Sequence, residues 1–215
     1  MTTDDQGDWT ALQDGLRRAA VALTDAEVPF ALVGGYAAWA RGAPEPSHDA
    51  DLAIAEEDVE RAKRALDAAG LDVQQPAENW LFKAFHAGEL VDVIYRMVGE
   101  PVTHELLSTA EELEVLAIRM PVLPATEVLS SKLRVLGEHY CDFTWTLPMA
   151  RALREQIDWE RLRRETLDRP YARAFLFLCD ELGLTATAAV PSAVRVGSGR
   201  FPDEGDPAEP ADHAR

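Results

Sequence analysis

A chain of 215 residues, 47% of them hydrophobic, is long enough to bury one sizeable core with a small helical appendage. No window approaches the ~18 consecutive apolar residues of a membrane span, and the opening Met1-Thr2-Thr3-Asp4-Asp5 is acidic rather than basic and apolar. No membrane segment or signal peptide is expected, and the chain is read as cytoplasmic. A net charge of −17 argues against holding nucleic acid by phosphate neutralisation, although it leaves room for an acidic enzyme with one local basic pocket.

The two cysteines, Cys141 and Cys179, stand far apart without CxxC or Cys/His spacing, and are read as buried thiols rather than zinc ligands or a disulfide. Lysine occurs three times only, at Lys63, Lys83 and Lys132.

Leu12, Leu16, Ala19, Ala20 and Leu23 recur at helical spacing and predict an amphipathic helix over residues 9–26, ended by Pro29. Phe30-Ala31-Leu32-Val33 reads as a short buried strand, closed by Gly34-Gly35 at a tight turn into a short helix over residues 36–41. After the breaker-rich residues 42–47, a second strand is predicted over residues 49–54, then a helix over residues 56–69 closed by Gly70.

Residues 80–85 and 90–95 flank Ala87-Gly88-Glu89, which predicts a β-hairpin with a three-residue loop; residues 115–120 give one more strand. From Pro124 the pattern turns helical over residues 125–138, 148–156, 159–166 and 171–182, a small bundle beside the sheet. Beyond Thr185 the text is rich in Ala, Pro, Gly and acids and reads as disordered. The expected division is a sheet domain over 1–123, a helical subdomain over 124–184 and a tail over 185–215.

Side chains alternate faces along a strand, so Asp49 and Asp51 are expected to point the same way. Adjacent like charges are costly without a cation, and hard oxygen ligands suit Mg²⁺ or Mn²⁺; two acids capping a strand in solvent is the plainer alternative. Gly34-Gly35, between strand and helix, offers unhindered backbone N–H groups to a phosphate, or makes a plain turn.

Val33-Gly34-Gly35-Tyr36-Ala37 followed by Ser47-His48-Asp49-Ala50-Asp51-Leu52 resembles the signature of the DNA polymerase β nucleotidyltransferase superfamily. In look it is similar to bacterial nucleotidyltransferase-fold proteins related to type IV abortive-infection toxins, which read Gly-Gly-x-Ala and then Arg-x-Thr-x-Asp-hydrophobic-Asp. The resemblance implies an α/β (α+β) nucleotidyltransferase-like mixed sheet with flanking helices and a C-terminal helical bundle. It implies Asp49, Asp51 and Asp92, the last within Leu90-Val91-Asp92-Val93-Ile94, as catalytic and metal-holding acids for Mg²⁺ or Mn²⁺. Gly34, Gly35, Ser47, Arg41 and Lys132 become the nucleotide-binding set. Arg41 enters because Glu45 stands where such relatives carry an arginine.

The implied activity is transfer of a nucleoside monophosphate from an NTP such as ATP to a hydroxyl acceptor, which could be a small molecule, a tRNA end or a protein. The acidic balance favours a cationic small molecule or a protein. The alternative is a catalytically degenerate binding or toxin-antitoxin module that meets an antitoxin-type protein partner. His48 is read as a surface histidine, and His139-Tyr140-Cys141-Asp142 as a helix end and loop. Trp145, Trp159, Tyr171, Phe175 and Phe177 are read as helical core.

Overall fold

The structure, a computed structural model, describes residues 3–46 and 49–185. The expected tail beyond residue 185, together with Ser47 and His48, lies outside the described residues. Helix α1 (Thr3–Asp25) leads into β1 (Phe30–Val33), α2 (Gly34–Ala40) and β2 (Ala50–Ile54). A 3₁₀ turn (Glu56–Asp58) opens α3 (Val59–Ala68), followed by β3 (Asp72–Gln74), β4 (Leu81–His86) and β5 (Glu89–Ile94). A short ribbon, β6 (Arg96–Met97) and β7 (Glu100–Pro101), then precedes α4 (His104–Leu107), β8 (Glu111–Val115) and β9 (Ile118–Val122). Four helices complete the chain: α5 (Ala125–Arg134), α6 (Thr146–Leu153), α7 (Trp159–Glu165) and α8 (Pro170–Glu181).

Seven strands form one mixed sheet in the order β3-β4-β5-β2-β1-β9-β8. The β2–β5 and β1–β9 pairs are parallel, and the other neighbours antiparallel. All four residues of β1 are buried, as its uninterrupted apolar text requires of a central strand. Helix α1 buries Leu12, Leu16, Ala19, Ala20 and Leu23, and each of the three leucines removed from water contributes about 1.5–3 kcal/mol. Gly15 allows close packing against the sheet, since a Cβ there would stand 3.3 Å from His86 Cβ.

The helices after β9 share this core: Leu129 and Leu133 of α5, Leu162 of α7 and Phe175 of α8 join the sheet residues in one continuous buried cluster. Asp158 caps α7 by accepting the Arg161 N–H at 2.9 Å, and Pro170 opens α8. Among the described residues no helix is long and apolar enough to cross a membrane.

Local expectations are corrected where turns lack their usual residues. The β4–β5 hairpin turns on two residues, not three: Ala87 and Gly88 take φ of 52° and 90°, and His86 pairs with Glu89. Residues 115–120 are not one strand, because Leu116 and Ala117, at φ of 53° and 63°, turn the chain between β8 and β9. An apolar pair in left-handed conformation hides such a turn from pattern reading. Helix α1 starts earlier than expected, and α5 stops at Arg134 rather than near residue 138.

Arg41, expected to bring charge to a phosphate, is committed elsewhere. Its side chain is 6% exposed; Nε donates to the Leu123 carbonyl at 2.7 Å, Nη2 to the Val122 carbonyl at 2.9 Å, and Nη1 pairs with Glu111 at 3.0 Å. It ties the end of α2 to the end of β9 through all three of its guanidinium nitrogens. Replacing Arg41 by Met keeps the apolar stem but strands two carbonyls. A stability loss of about 1–3 kcal/mol is expected in denaturant unfolding, with nucleotide binding by the folded protein unchanged.

Candidate active site

The corner between β1 and α2 is shaped by one close approach. Gly34 has φ of +64°, and a Cβ on it would lie 2.0 Å from Asp51 Oδ2 and 2.9 Å from its Cγ. No side chain fits there, so glycine is demanded twice, by the left-handed backbone and by the Asp51 carboxylate. At Gly35 a Cβ would meet Pro46 Cβ at 2.8 Å, which holds the 43–46 segment against the helix start.

Asp51 sits opposite Val33 across β1–β2 and beside Asp92 across the parallel β2–β5 pair, at the same register. The two carboxylates are thus neighbours on one face of the sheet. Asp49 departs from expectation: β2 begins at Ala50, and Asp49 is an exposed residue with φ of +30° ahead of it. Strand alternation therefore does not aim Asp49, although it lines the same cavity as Asp51.

Burial pushes the Asp51 carboxyl up to about 7; Lys132 pulls it down, while Asp92 and Asp49 push it further up. Lys132, half-buried on α5, thus acts on the Asp51 carboxyl and lines the same cavity. Asp92 is raised above the usual carboxylate range by burial, opposed by Lys83. Lys83 was not singled out in the sequence. It lies directly across β4–β5 from Asp92 with Nζ 3.7 Å from Oδ1, an ion pair rather than a hydrogen bond. Asp92 Oδ1 is buried and has no hydrogen-bond partner.

Among the described residues no three His, Cys, Asp or Glu side chains come together as a ready metal cluster. The expectation of three converging acids is narrowed to an Asp49/Asp51 pair with Asp92 alongside, tied to Lys83. The residues still fit a divalent cation. The donors are all carboxylate oxygens, which suits Mg²⁺ or Mn²⁺, and crowding of like charge leaves Asp51 short of positive neighbours.

Two cavities of about 500 Å³ each meet at this point and share only Asp51 and Lys132. One runs past Gly35, Pro46 and Asp49 to Trp145 and Met149 at α6. The other runs past Gly34 and Ile94 to Trp80, the Val98-Gly99 turn of the β6–β7 ribbon, and Val135. A recess of about 570 Å³ beside Phe30 and His104 touches none of the three aspartates.

The aromatic expectation is split. Trp159 and Phe175 are core, whereas Trp145 and Phe177 are 65% and 64% exposed, so Trp145 is a cavity wall. Tyr140, Cys141 and Asp142 are exposed, so of the two thiols expected to be buried only Cys179 is, because Cys141 falls in the loop between α5 and α6.

No protein-family model and no curated protein matches the chain. Among solved structures, the solution structure of the antibiotic-resistance factor ANT(2'')-Ia matches with a TM-score of 0.57 at 14% identity, covering 80% of this chain and 98% of that one. The crystal structure of ANT(2'')-Ia in complex with adenylyl-2''-tobramycin matches with a TM-score of 0.54 at 14% identity, covering 74% and 96%. At this identity the likeness gives the fold, which is nucleotidyltransferase-like.

The raised Asp51 sets a pH dependence. In metal-free folded protein Asp51 keeps its proton up to about 7, but once unfolded it loses it near the ordinary 3.8. Between those values the folded state holds the extra proton, so this contribution to stability falls as pH rises and is gone above the upper value. In chelator, the melting temperature of the wild type relative to Asp51→Asn is expected to drop between about pH 5 and about pH 8. Parallel curves for the two proteins would show that Asp51 is ionised throughout.

Proposed function

We propose that the chain transfers a nucleoside monophosphate from an NTP to a hydroxyl acceptor, with release of pyrophosphate. The observation that carries this is the placement of Asp51 against Gly34, in register with Asp92 and facing Lys132, on a nucleotidyltransferase-like fold. The acceptor oxygen bonds to the α-phosphorus, the bond from that phosphorus to the bridging oxygen breaks, and pyrophosphate leaves with the electron pair. Asp49 and Asp51, with Asp92 beside them, would hold a divalent cation, which when bound would supply charge neutralisation at the phosphates.

The chain's own groups divide the remaining work. Gly34 and Gly35 let the Asp51 carboxylate and Pro46 close onto the start of α2, and their backbone N–H groups remain the nucleotide-binding candidates of that corner. Lys132 contributes positive charge between the cavities, and Trp145 presents a ring on which a base can stack. Ser47 remains a nucleotide-binding candidate on its sequence position. Asp92 takes the proton of the acceptor hydroxyl, and a carboxylate raised by burial is the more effective base near neutral pH. ANT(2'')-Ia is known here with an adenylylated compound, which makes ATP the first nucleotide to try.

A second reading, a fold-retaining module without catalysis, draws on one observation: Lys83 already neutralises Asp92, and the acids form no three-member cluster. The toxin-antitoxin role and an antitoxin-type partner belong to that reading.

Measuring melting temperature with each NTP, with and without Mg²⁺, separates the two, since a ligand bound only by the folded state raises it. Metal-dependent stabilisation is expected for wild type and its loss for Asp51→Asn. Asp92→Asn should keep nucleotide affinity while pyrophosphate release falls by roughly 10²-fold. If no NTP gives a metal-dependent shift, the transfer activity is wrong and the binding module stands.

A further inference from the structure

We propose that the cavity beneath the Val98-Gly99 turn holds the acceptor, and that this acceptor is an uncharged hydroxyl compound with a flat apolar part rather than a polycation. The assignment rests on the nucleotidyl-transfer reading for the identity of the reacting hydroxyl. Asp92, the proton acceptor, and Ile94 are on the same face of β5, two residues apart, and Ile94 lines this cavity. Asp92 is not itself part of the cavity wall but stands one same-face step along β5 from Ile94, and Asp51, level with it on β2, is part of that wall. The Gly35–Asp49–Trp145 cavity on the other side of Asp51 and Lys132 is left for the nucleotide.

The chemistry of the wall sets the class. Trp80 keeps 42% of its surface exposed at the lip, and its position is fixed because its carbonyl accepts the N–H groups of Tyr95 and Arg96 at 3.0 and 3.1 Å. A half-bare indole carried on an anchored backbone is a stacking face for a flat group. Ile94, Met97, Val98 and the 48% exposed Val135 continue an apolar surface.

The charges point away from a polycation. Arg96 and Lys132 are the two basic residues of the lining, and Asp51 is its one carboxylate. Arg96 is paired through Nε and Nη2 with Glu56 at 2.8 and 3.2 Å, and Asp51 shares the wall with Lys132 and is assigned to the divalent cation in the transfer reading. A compound with several ammonium groups would lose its hydration and find no free carboxylate in return. The chain's charge of −17 is therefore not expressed in this cavity, and the preference for a cationic small molecule drawn from it does not hold here.

Two probes test the assignment on the full chain by calorimetry, with and without Mg²⁺ and a non-hydrolysable ATP analogue: 4-nitrophenyl glucoside, a neutral aryl polyol, and tobramycin, a polyamine. The glucoside is expected to bind and tobramycin not to. Trp80→Ala should weaken glucoside binding roughly tenfold while the nucleotide-induced melting shift stays unchanged. Val135→Asp, at an exposed lip position that does not threaten folding, should weaken the glucoside and admit tobramycin. Tobramycin binding to the wild type, no glucoside binding, or glucoside binding indifferent to both substitutions would each overturn the proposal. Failure of the transfer reading shows separately, as the absence of any metal-dependent nucleotide shift, because the probe measurements without nucleotide still report the cavity's chemistry.

Discussion

The Asp51 carboxylate occupies the space where residue 34 would otherwise carry a side chain. Much of the site follows from that one crowding. Residue 34 must be glycine, so β1 can end abruptly in a left-handed step and α2 can start at once. Because Asp51 is at the first paired residues of β2, it reaches that corner and at the same time stands level with Asp92 of β5. A carboxyl packed this tightly resists ionisation, which costs folding energy unless a cation comes near. The cation in the chain itself is Lys132, which arrives from α5. The helices after β9 are thus part of the site's electrostatics as well as of the core.

Charge at the site is only partly compensated. Asp92 forms an ion pair with Lys83, and Lys132 eases but does not cancel the penalty on Asp51, so two of the chain's three lysines act on its innermost acids. The third, Lys63, lies over the Phe82 ring on another part of the sheet. Asp49 and Glu45 in the wall of the Trp145 cavity add negative charge of their own. The buried, unbonded Asp92 Oδ1 is the remainder of the pairing with Lys83: an ion pair at 3.7 Å neutralises charge without satisfying a lone pair.

The elements that carried their own signal were legible in sequence. β1 was readable as an apolar run stopped by two glycines, α1 from its 3.6-residue period, and β5 from the alternation around Asp92. What was lost depended on partners far along the chain. Arg41 looked like a free cation because its acceptors, the carbonyls of Val122 and Leu123, are more than eighty residues away. Lys83 carried no mark, since its meaning lies in the β4–β5 register. Trp145 resembled core because an aromatic in helical text usually is, yet the α6 start leaves it bare beside the acids. Asp49 was placed in β2 by extension of the strand pattern, which cannot see a residue at φ of +30°.

The two cavities gain their significance from what they share. In-line displacement at phosphorus requires the attacking and leaving oxygens to stand on opposite sides of the reacting atom. Two recesses that share only Asp51 and Lys132 are compatible with such a division, with one acid and one base of the chain at the junction. The side proposed for the nucleotide is walled by Gly35, the 43–46 segment and Trp145, which belong to the β1–α2 corner and the start of α6. The side proposed for the acceptor is walled by Trp80, β5 and the β6–β7 ribbon. Apart from that shared pair the two walls come from different segments, so residues on the acceptor side can change which hydroxyl compound enters without disturbing the glycine corner. This is the physical reason a fold likeness at 14% identity can extend to the sheet and leave the acceptor to be read from the cavity itself.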